Sequence, residues 1–210
     1  MRYTLYGVEG SGNCLKVRLL LGFLGIQYES IAPSLKPASP DLLAVNPLGQ
    51  VPVLVVEHDG EEKKTIIRDS NAILVYLSLK TKATSWYNVE DAENVAKITS
   101  WLSYATSEVN HSLLWVRIKN KFSWDIPVTY EVALERGHGV LTFIDGQLAT
   151  NGTPFLTGTE PNIADLSVFP YVYLAESSSD GALKLADYPH VSAWISRIVA
   201  LPGRSALPPW

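Results

Sequence analysis

Near residue 81 the pattern of the chain changes from alternating strand-like and helix-like segments to helix-like segments alone, and this restricts it to an α/β half followed by an all-helical half. Ahead of the change, Tyr3 to Tyr6 is a short β-prone run that ends at Gly7. The polar segment Glu9-Gly-Ser-Gly-Asn13 then leads into Cys14 to Leu24, which is apolar on nearly every side, the pattern of a helix buried all round. Gly25 is a stop signal, and Ile26 to Ile31 reads as a second strand that completes a βαβ unit with parallel pairing. Ser39-Pro40 supplies an N-cap and a proline in the first helical turn, so Asp41 to Val45 reads as a short helix ended by Asn46-Pro47. Val51 to Glu57 and Thr65 to Ile67 flank the turn residues His58-Asp59-Gly60 as a hairpin. Asp69-Ser70 then caps a helix carrying Ile73, Leu74 and Leu77. The order predicted is βαβαββα.

Beyond a polar linker, Val95, Ile98, Leu102, Ala105 and Val109 recur at steps of three and four and predict one long amphipathic helix. Pro127 to Leu148 reads as a second helix, weakened by Gly137 and Gly139. Asn162 caps a third, with Asp165 at its N3 position, and Pro189 to Ala200 is a fourth. The expected organisation is an α/β domain over 1–80, a linker over 81–90 and an all-helical domain over 91–210. At 47% hydrophobic and 18% charged the chain can bury a substantial core. Its formal net charge of -4 offers no basic field for nucleic acid or an anionic membrane surface, and no apolar run approaches the length of a bilayer span. Cys14 is the only cysteine, which excludes an intrachain disulfide and a cysteine-based metal cluster, and with no signal-peptide pattern at the start the expected location is cytoplasmic.

The segment Asn46-Pro-Leu-Gly-Gln-Val-Pro-Val-Leu54, the Arg-Asp-Ser-Asn-Ala-Ile run at 68–73, and Asn-Ile-Ala-Asp at 162–165 together resemble the cytosolic glutathione transferases, over nearly the whole chain. The resemblance implies a thioredoxin-like first domain and a serine-type, theta/phi-like microbial member. It implies that Pro52 is cis, an isomer about 0.5–1 kcal/mol above trans for an X-Pro bond, and that the Val51 backbone pairs with the cysteinyl part of glutathione. Ser70 and Asp69 would then take the carboxylate and the ammonium of the γ-glutamyl end. Elementary chemistry agrees for the carboxylate, because the first N–H groups of a helix are unpaired and carry partial positive charge. Gln50 matches a glutathione-binding amide of plant-type members, whereas the lysine those members carry in the preceding loop aligns near Ala38, leaving Lys36 out of register.

Glutathione reacts as its thiolate, and a thiol of ordinary pKa near 8.5 is only a few per cent ionised at neutral pH. Lowering that pKa by about two units requires roughly 2.7 kcal/mol. A hydroxyl hydrogen bond to the charged sulfur contributes about 1.5–3 kcal/mol and a helix N-terminus about 0.3–1 kcal/mol. Ser11 stands where both are available, just ahead of the first helix, and Ser11-Gly12-Asn13 resembles the serine-type members, in which this serine holds the thiolate and the asparagine supports it. The plain alternative for Ser11 is a helix cap. Cys14 is a rival nucleophile, since a thiol near a helix N-terminus suits mixed-disulfide chemistry, although burial in the core is the commoner fate of such a cysteine. Tyr6 lies within the strand pattern and reads as core.

A second-substrate site is expected against the helical half, with Tyr104, His111 and Trp115 as candidates because steps of seven and four place them on one helical face. Trp210 is a candidate to close over it. The resemblance implies an enzyme that conjugates glutathione to small hydrophobic electrophiles, a homodimer, and no metal or organic cofactor beyond glutathione as co-substrate. Two alternatives accompany it, a glutathione transferase-like binding module without turnover and a Cys14-dependent thiol-disulfide reductase.

Overall fold

The apolar runs of the first half form a four-stranded mixed sheet in the order β2-β1-β3-β4, built from β1 (Arg2–Tyr6), β2 (Glu29–Ile31), β3 (Val53–Glu57) and β4 (Thr65–Arg68). The computed structural model of the chain describes residues 1–60 and 62–202, so the expectation placed on Trp210 lies outside the described residues. β1 pairs parallel with β2 and antiparallel with β3, and β3 pairs antiparallel with β4. With α1 (Gly12–Phe23), α2 (Pro40–Val45) and α3 (Ser70–Lys80) this is the βαβαββα order, a thioredoxin-like fold. Val53, Leu54, Val55 and Val56 are all buried, which is why β3 is an unbroken apolar run rather than an alternating one. α1 and α3 pack against each other, and α3 also packs on β3 and β4.

The second strand starts three residues later than its sequence suggested. Gly25 adopts φ 64 and lets the Ile26 N–H reach back to the Leu21 carbonyl at 2.9 Å, so Ile26 closes α1 instead of opening β2. Ser39 occupies the cap position of α2 without a side-chain capping bond, and Pro40 opens the helix.

By backbone contacts the described chain divides into two compact units, Met1–Ala83 and Thr84–Pro202. The second is helical throughout, with α4 (Ala92–Tyr104), a π-helical stretch over Ala105–Leu114, α5 (Trp115–Phe122), α6 (Tyr130–Asn151), α7 (Ile163–Tyr173), α8 (Ala175–Ser178) and α9 (Pro189–Ala200). The long helix expected from Val95 onward is therefore a helical run with a wide-turn insert, in which backbone bonds run i→i+5 and each residue advances less than 100°. Its buried face carries Ile98, Trp101, Ala105, Val109, Leu113 and Val116, with Trp101 in the place anticipated for Leu102. The second helix begins at Tyr130, not Pro127, because the Thr129 hydroxyl caps it by accepting from the Val132 N–H at 3.4 Å. Gly137 does not end it. A Cβ there would stand 3.1 Å from Leu183 and 3.2 Å from Leu113, so the glycine lets α6 approach both closely. Among the described residues no helix is long and apolar enough to cross a membrane.

Candidate functional site

Strand register assembles the site. Tyr6 at the end of β1 pairs with Val53 at the start of β3, and Val53 pairs on its other side with Arg68 at the end of β4. The segments that follow Tyr6, precede Val53 and follow Arg68 therefore leave one end of the sheet side by side. These are the turn to Ser11, the Val51-Pro52 step and the Asp69-Ser70 step. No local sequence rule brings them together.

The first segment is held by the Gly7 N–H, which donates to the Ile31 carbonyl at 2.9 Å, and turns at Gly10 with φ 82, a left-handed conformation that glycine adopts without strain. Ser11 is the N-cap of α1, its Oγ accepting from the Cys14 N–H at 3.3 Å. A hydroxyl that accepts one bond still has a proton to donate, so capping and a second contact are compatible. Asn13 lies in the first turn of α1, and its Oδ1 accepts from the Ser70 hydroxyl at 3.5 Å, which ties the start of α1 to the start of α3.

The second segment is braced by Asn46. Its buried side-chain amide donates to the Gln50 carbonyl at 2.8 Å and its Oδ1 accepts from the Leu48 N–H at 3.2 Å, fixing the loop that delivers Gln50 to Val51. Gly49 at φ 62 is required by the same turn, where a Cβ would meet that of Ala38 at 2.9 Å. The Val51-Pro52 bond is cis, as expected, and Lys36-Pro37 is cis as well. Gln50 is exposed, Val51 half-buried and Pro52 buried. In sequence terms Asn46 reads only as a helix terminator, and nothing local marks its amide as the brace.

In the third segment Asp69 caps α3 with φ 76 and ψ 127, a conformation that a non-glycine residue holds at a cost of about 1–3 kcal/mol. Its Oδ1 accepts from the N–H groups of Asn71 at 2.9 Å and Ala72 at 3.0 Å. The carboxylate is exposed, whereas Ser70 beside it is buried.

Two sequence candidates change standing. Cys14 is fully buried, packed toward Gly7, and burial pushes its thiol above the ordinary value, outweighing the lowering by the Ser11 hydroxyl, the Val8 backbone and Arg18. A neutral thiol sealed in the core does not suit a nucleophile. Tyr104, His111 and Trp115 do not form a single aromatic face either. Tyr104 packs with Trp101 and Phe143 at ring distances of 5.5 and 4.9 Å, whereas His111 pairs with Trp115 at 4.8 Å. The π-helical stretch between Tyr104 and Trp115 breaks the 3.6-residue period on which their common face depended. Tyr104, Trp101 and Phe143 line a cavity of about 580 Å³ together with Lys97, Gln147 and Asn151, and burial raises the Tyr104 hydroxyl pKa, Glu108 adding to the rise. His111 and Trp115 are not part of that lining.

A buried charge in the first helix carries no local signal in the sequence. Lys16, in α1, is 1% exposed, and burial pulls its ammonium down to about 8 against the opposing pull of Asp69.

Two family models match the chain, the glutathione S-transferase N-terminal domain over residues 5–83 and the glutathione S-transferase C-terminal domain over residues 127–197. A glutathione S-transferase from Xanthobacter autotrophicus of known structure is 31% identical and superposes with a TM-score of 0.85, covering 99% of this chain and 97% of that one. Glutathione S-transferase 3 of Zea mays is 28% identical over 94% of this chain and 89% of its own length. Elongation factor 1-gamma 1 of Oryza sativa is 23% identical over 96% of this chain and 47% of its own length.

Proposed function

The chain belongs to the glutathione S-transferase family, and from that premise we propose that it is a serine-type enzyme that conjugates glutathione to small hydrophobic electrophiles. The observation that carries this reading is the in-register meeting of Tyr6, Val53 and Arg68, which sets Ser11, Val51-Pro52 and Asp69-Ser70 at one end of the sheet. The Val51 backbone pairs with the cysteinyl residue of glutathione, the first N–H groups and hydroxyl of α3 receive the γ-glutamyl carboxylate, and the Asp69 oxygen not engaged by Asn71 and Ala72 receives the ammonium. Gln50 contributes its amide to glutathione, and Asn13 supports Ser11 at the thiolate.

The chemistry asked of the protein is modest. The thiol proton passes to solvent, the Ser11 O–H donates to the sulfur anion, and the sulfur attacks the electrophilic carbon as the leaving group departs with its electron pair. Ser11 retains its donor for this because the N-cap bond uses the oxygen as acceptor. Cys14 takes no part, its thiol being buried and neutral.

Conjugation of glutathione to a chlorodinitrobenzene-type electrophile tests the roles. Ser11→Ala is expected to lose about 10- to 100-fold in kcat/KM, the equivalent of a charge-assisted hydrogen bond of roughly 1.5–3 kcal/mol. Cys14→Ala is expected to retain the activity. An unchanged Ser11→Ala rate refutes the assignment of Ser11, and loss in Cys14→Ala alone restores the cysteine. The same reading carries a cytoplasmic homodimer, which sedimentation as a monomer would refute.

A second reading draws on the match to elongation factor 1-gamma 1, which spans almost all of this chain and only 47% of the relative. The same fold can serve as a module for association, because fold alone does not decide turnover. Glutathione binding without conjugation of any electrophile in a broad panel would favour that reading.

A further inference from the structure

Gly7 is the point at which the end of β1 meets α1. Its N–H donates to the Ile31 carbonyl at 2.9 Å, which carries the pairing of β1 with β2 one residue past Tyr6. Its φ lies outside the left-handed region, so backbone conformation does not ask for glycine here. The approach of the helix does. A Cβ at Gly7 would stand 3.1 Å from Cys14 Sγ, 3.4 Å from Cys14 Cβ and 3.8 Å from a guanidinium nitrogen of Arg18. Cys14 and Arg18 are one turn apart on one face of α1. Cys14 is fully buried, and a side chain in a close-packed interior yields little. The Cys14 N–H also donates to Ser11 Oγ at 3.3 Å. One residue thus touches the strand end through its side chain and holds the Ser11 hydroxyl through its backbone. The contacts run from Ile31 to Gly7, from Gly7 to Cys14 and from Cys14 to Ser11, and they close the turn Val8-Glu9-Gly10 between Gly7 and Ser11.

We propose that Gly7 is a positioning residue for Ser11, its missing side chain letting the first turn of α1 seat directly on the end of β1 so that the Ser11 hydroxyl stands where the glutathione sulfur arrives. The inference rests on the glutathione reading. A methyl at Gly7 needs a few tenths of an ångström more than the contact with Cys14 Sγ leaves, and the start of α1 must yield it. Because the Cys14 N–H is bonded to Ser11 Oγ, a displacement of Cys14 is passed to the hydroxyl. A donor moved away from the sulfur anion stabilises it less, so the thiol stays protonated to higher pH. The Val51-Pro52 and Asp69-Ser70 steps belong to other segments and stay in place. Cys14 enters as the atom that leaves no room, not as a nucleophile.

The test compares the wild type, Gly7→Ala, Cys14→Ala and the double variant. For each, the ultraviolet absorbance of the thiolate of bound glutathione is followed against pH, beside calorimetric titration of glutathione and kcat and KM with a chlorodinitrobenzene-type electrophile. Gly7→Ala is expected to raise the pKa of the bound thiol by about half to one pH unit and to lower kcat about three- to tenfold, with KM for glutathione unchanged. In the Cys14→Ala background the same substitution is expected to change neither, because the added methyl then meets only the Cβ of residue 14 at 3.4 Å, an ordinary contact. A Gly7→Ala protein with the wild-type thiol pKa and kcat overturns the proposal. So does an equal loss in the Cys14→Ala background, which would mean that the contact with Cys14 does not carry the effect. Failure of Gly7→Ala to fold, or a lowered melting temperature with the thiol pKa unmoved, overturns it in favour of a purely structural glycine. If the wild type binds no glutathione, the functional reading itself falls and this inference with it, an outcome distinguished from the others by the blank wild-type titration.

Discussion

Asp165 is fully buried at the N3 position of α7, and it is the partner of three N–H donors, those of Leu156 at 3.0 Å, Asn162 at 3.0 Å and the Trp194 indole at 2.8 Å. Burial and hydrogen bonding pull in opposite directions, because burial disfavours the ionised carboxylate and each N–H favours it. Burial wins, and the carboxyl is pushed up from 3.8 to about 6. Between those two values the folded protein holds a proton that the unfolded chain has released. The contribution is therefore fully present below the unfolded pKa and is lost as pH rises through the folded one. A separation of roughly two pH units at about 1.36 kcal/mol each makes the loss about 3 kcal/mol. In Asp165→Asn the amide oxygen can still accept from Leu156 and Trp194, both of which bond the same Oδ1, but its NH₂ replaces the oxygen that faces the Asn162 N–H. That costs about 1–3 kcal/mol and does not titrate. Urea unfolding followed by tryptophan fluorescence at pH values from 4 to 7 should show the stability difference between wild type and variant moving by about 2.4 kcal/mol in favour of the variant as pH rises. Comparing the two proteins cancels the other carboxylates, including Glu57 and Asp59, whose pKa values are lowered by their ion pairs. A difference that stays flat across that range would mean that the three donors keep Asp165 ionised throughout, and the reasoning from burial would be refuted.

Two further substitutions follow from close contacts. Gly137→Ala raises helix propensity by about 1 kcal/mol but places a methyl 3.1 Å from Leu183 and 3.2 Å from Leu113. Overpacking is expected to win, with a net loss of about 1–2 kcal/mol on chemical denaturation, and a stabilised variant would show that both leucines yield freely. Asn46→Ala removes the amide that holds the Gln50 carbonyl at 2.8 Å and the oxygen that holds the Leu48 N–H at 3.2 Å. It should raise KM for glutathione several-fold by loosening the loop ahead of Val51, and kinetics indistinguishable from wild type would refute Asn46 as the brace.

What was legible in the sequence was local. The caps at Ser11, Asp69 and Asn162 place a side-chain acceptor within three residues of the N–H it satisfies, so a short string of residues states the whole interaction. Pro127 hides the equally local cap at Thr129, because a proline there offers an earlier helix start. The alternation of strand and helix, and with it the fold of the first half, is legible for the same reason. Tertiary structure decided everything that joins residues far apart. The registers that align Tyr6, Val53 and Arg68 assemble the site, the Trp194 indole reaches Asp165 from α9, and Asp145 in α6 caps α9 through the His190 and Val191 N–H groups. The fates of Cys14 and Lys16 belong to the same class. A thiol near a helix N-terminus reads as reactive and nothing local marks Lys16 as buried, until packing encloses both and solvation changes what each can do. Burial sums many contacts between residues distant in the chain, and no window of sequence contains that sum.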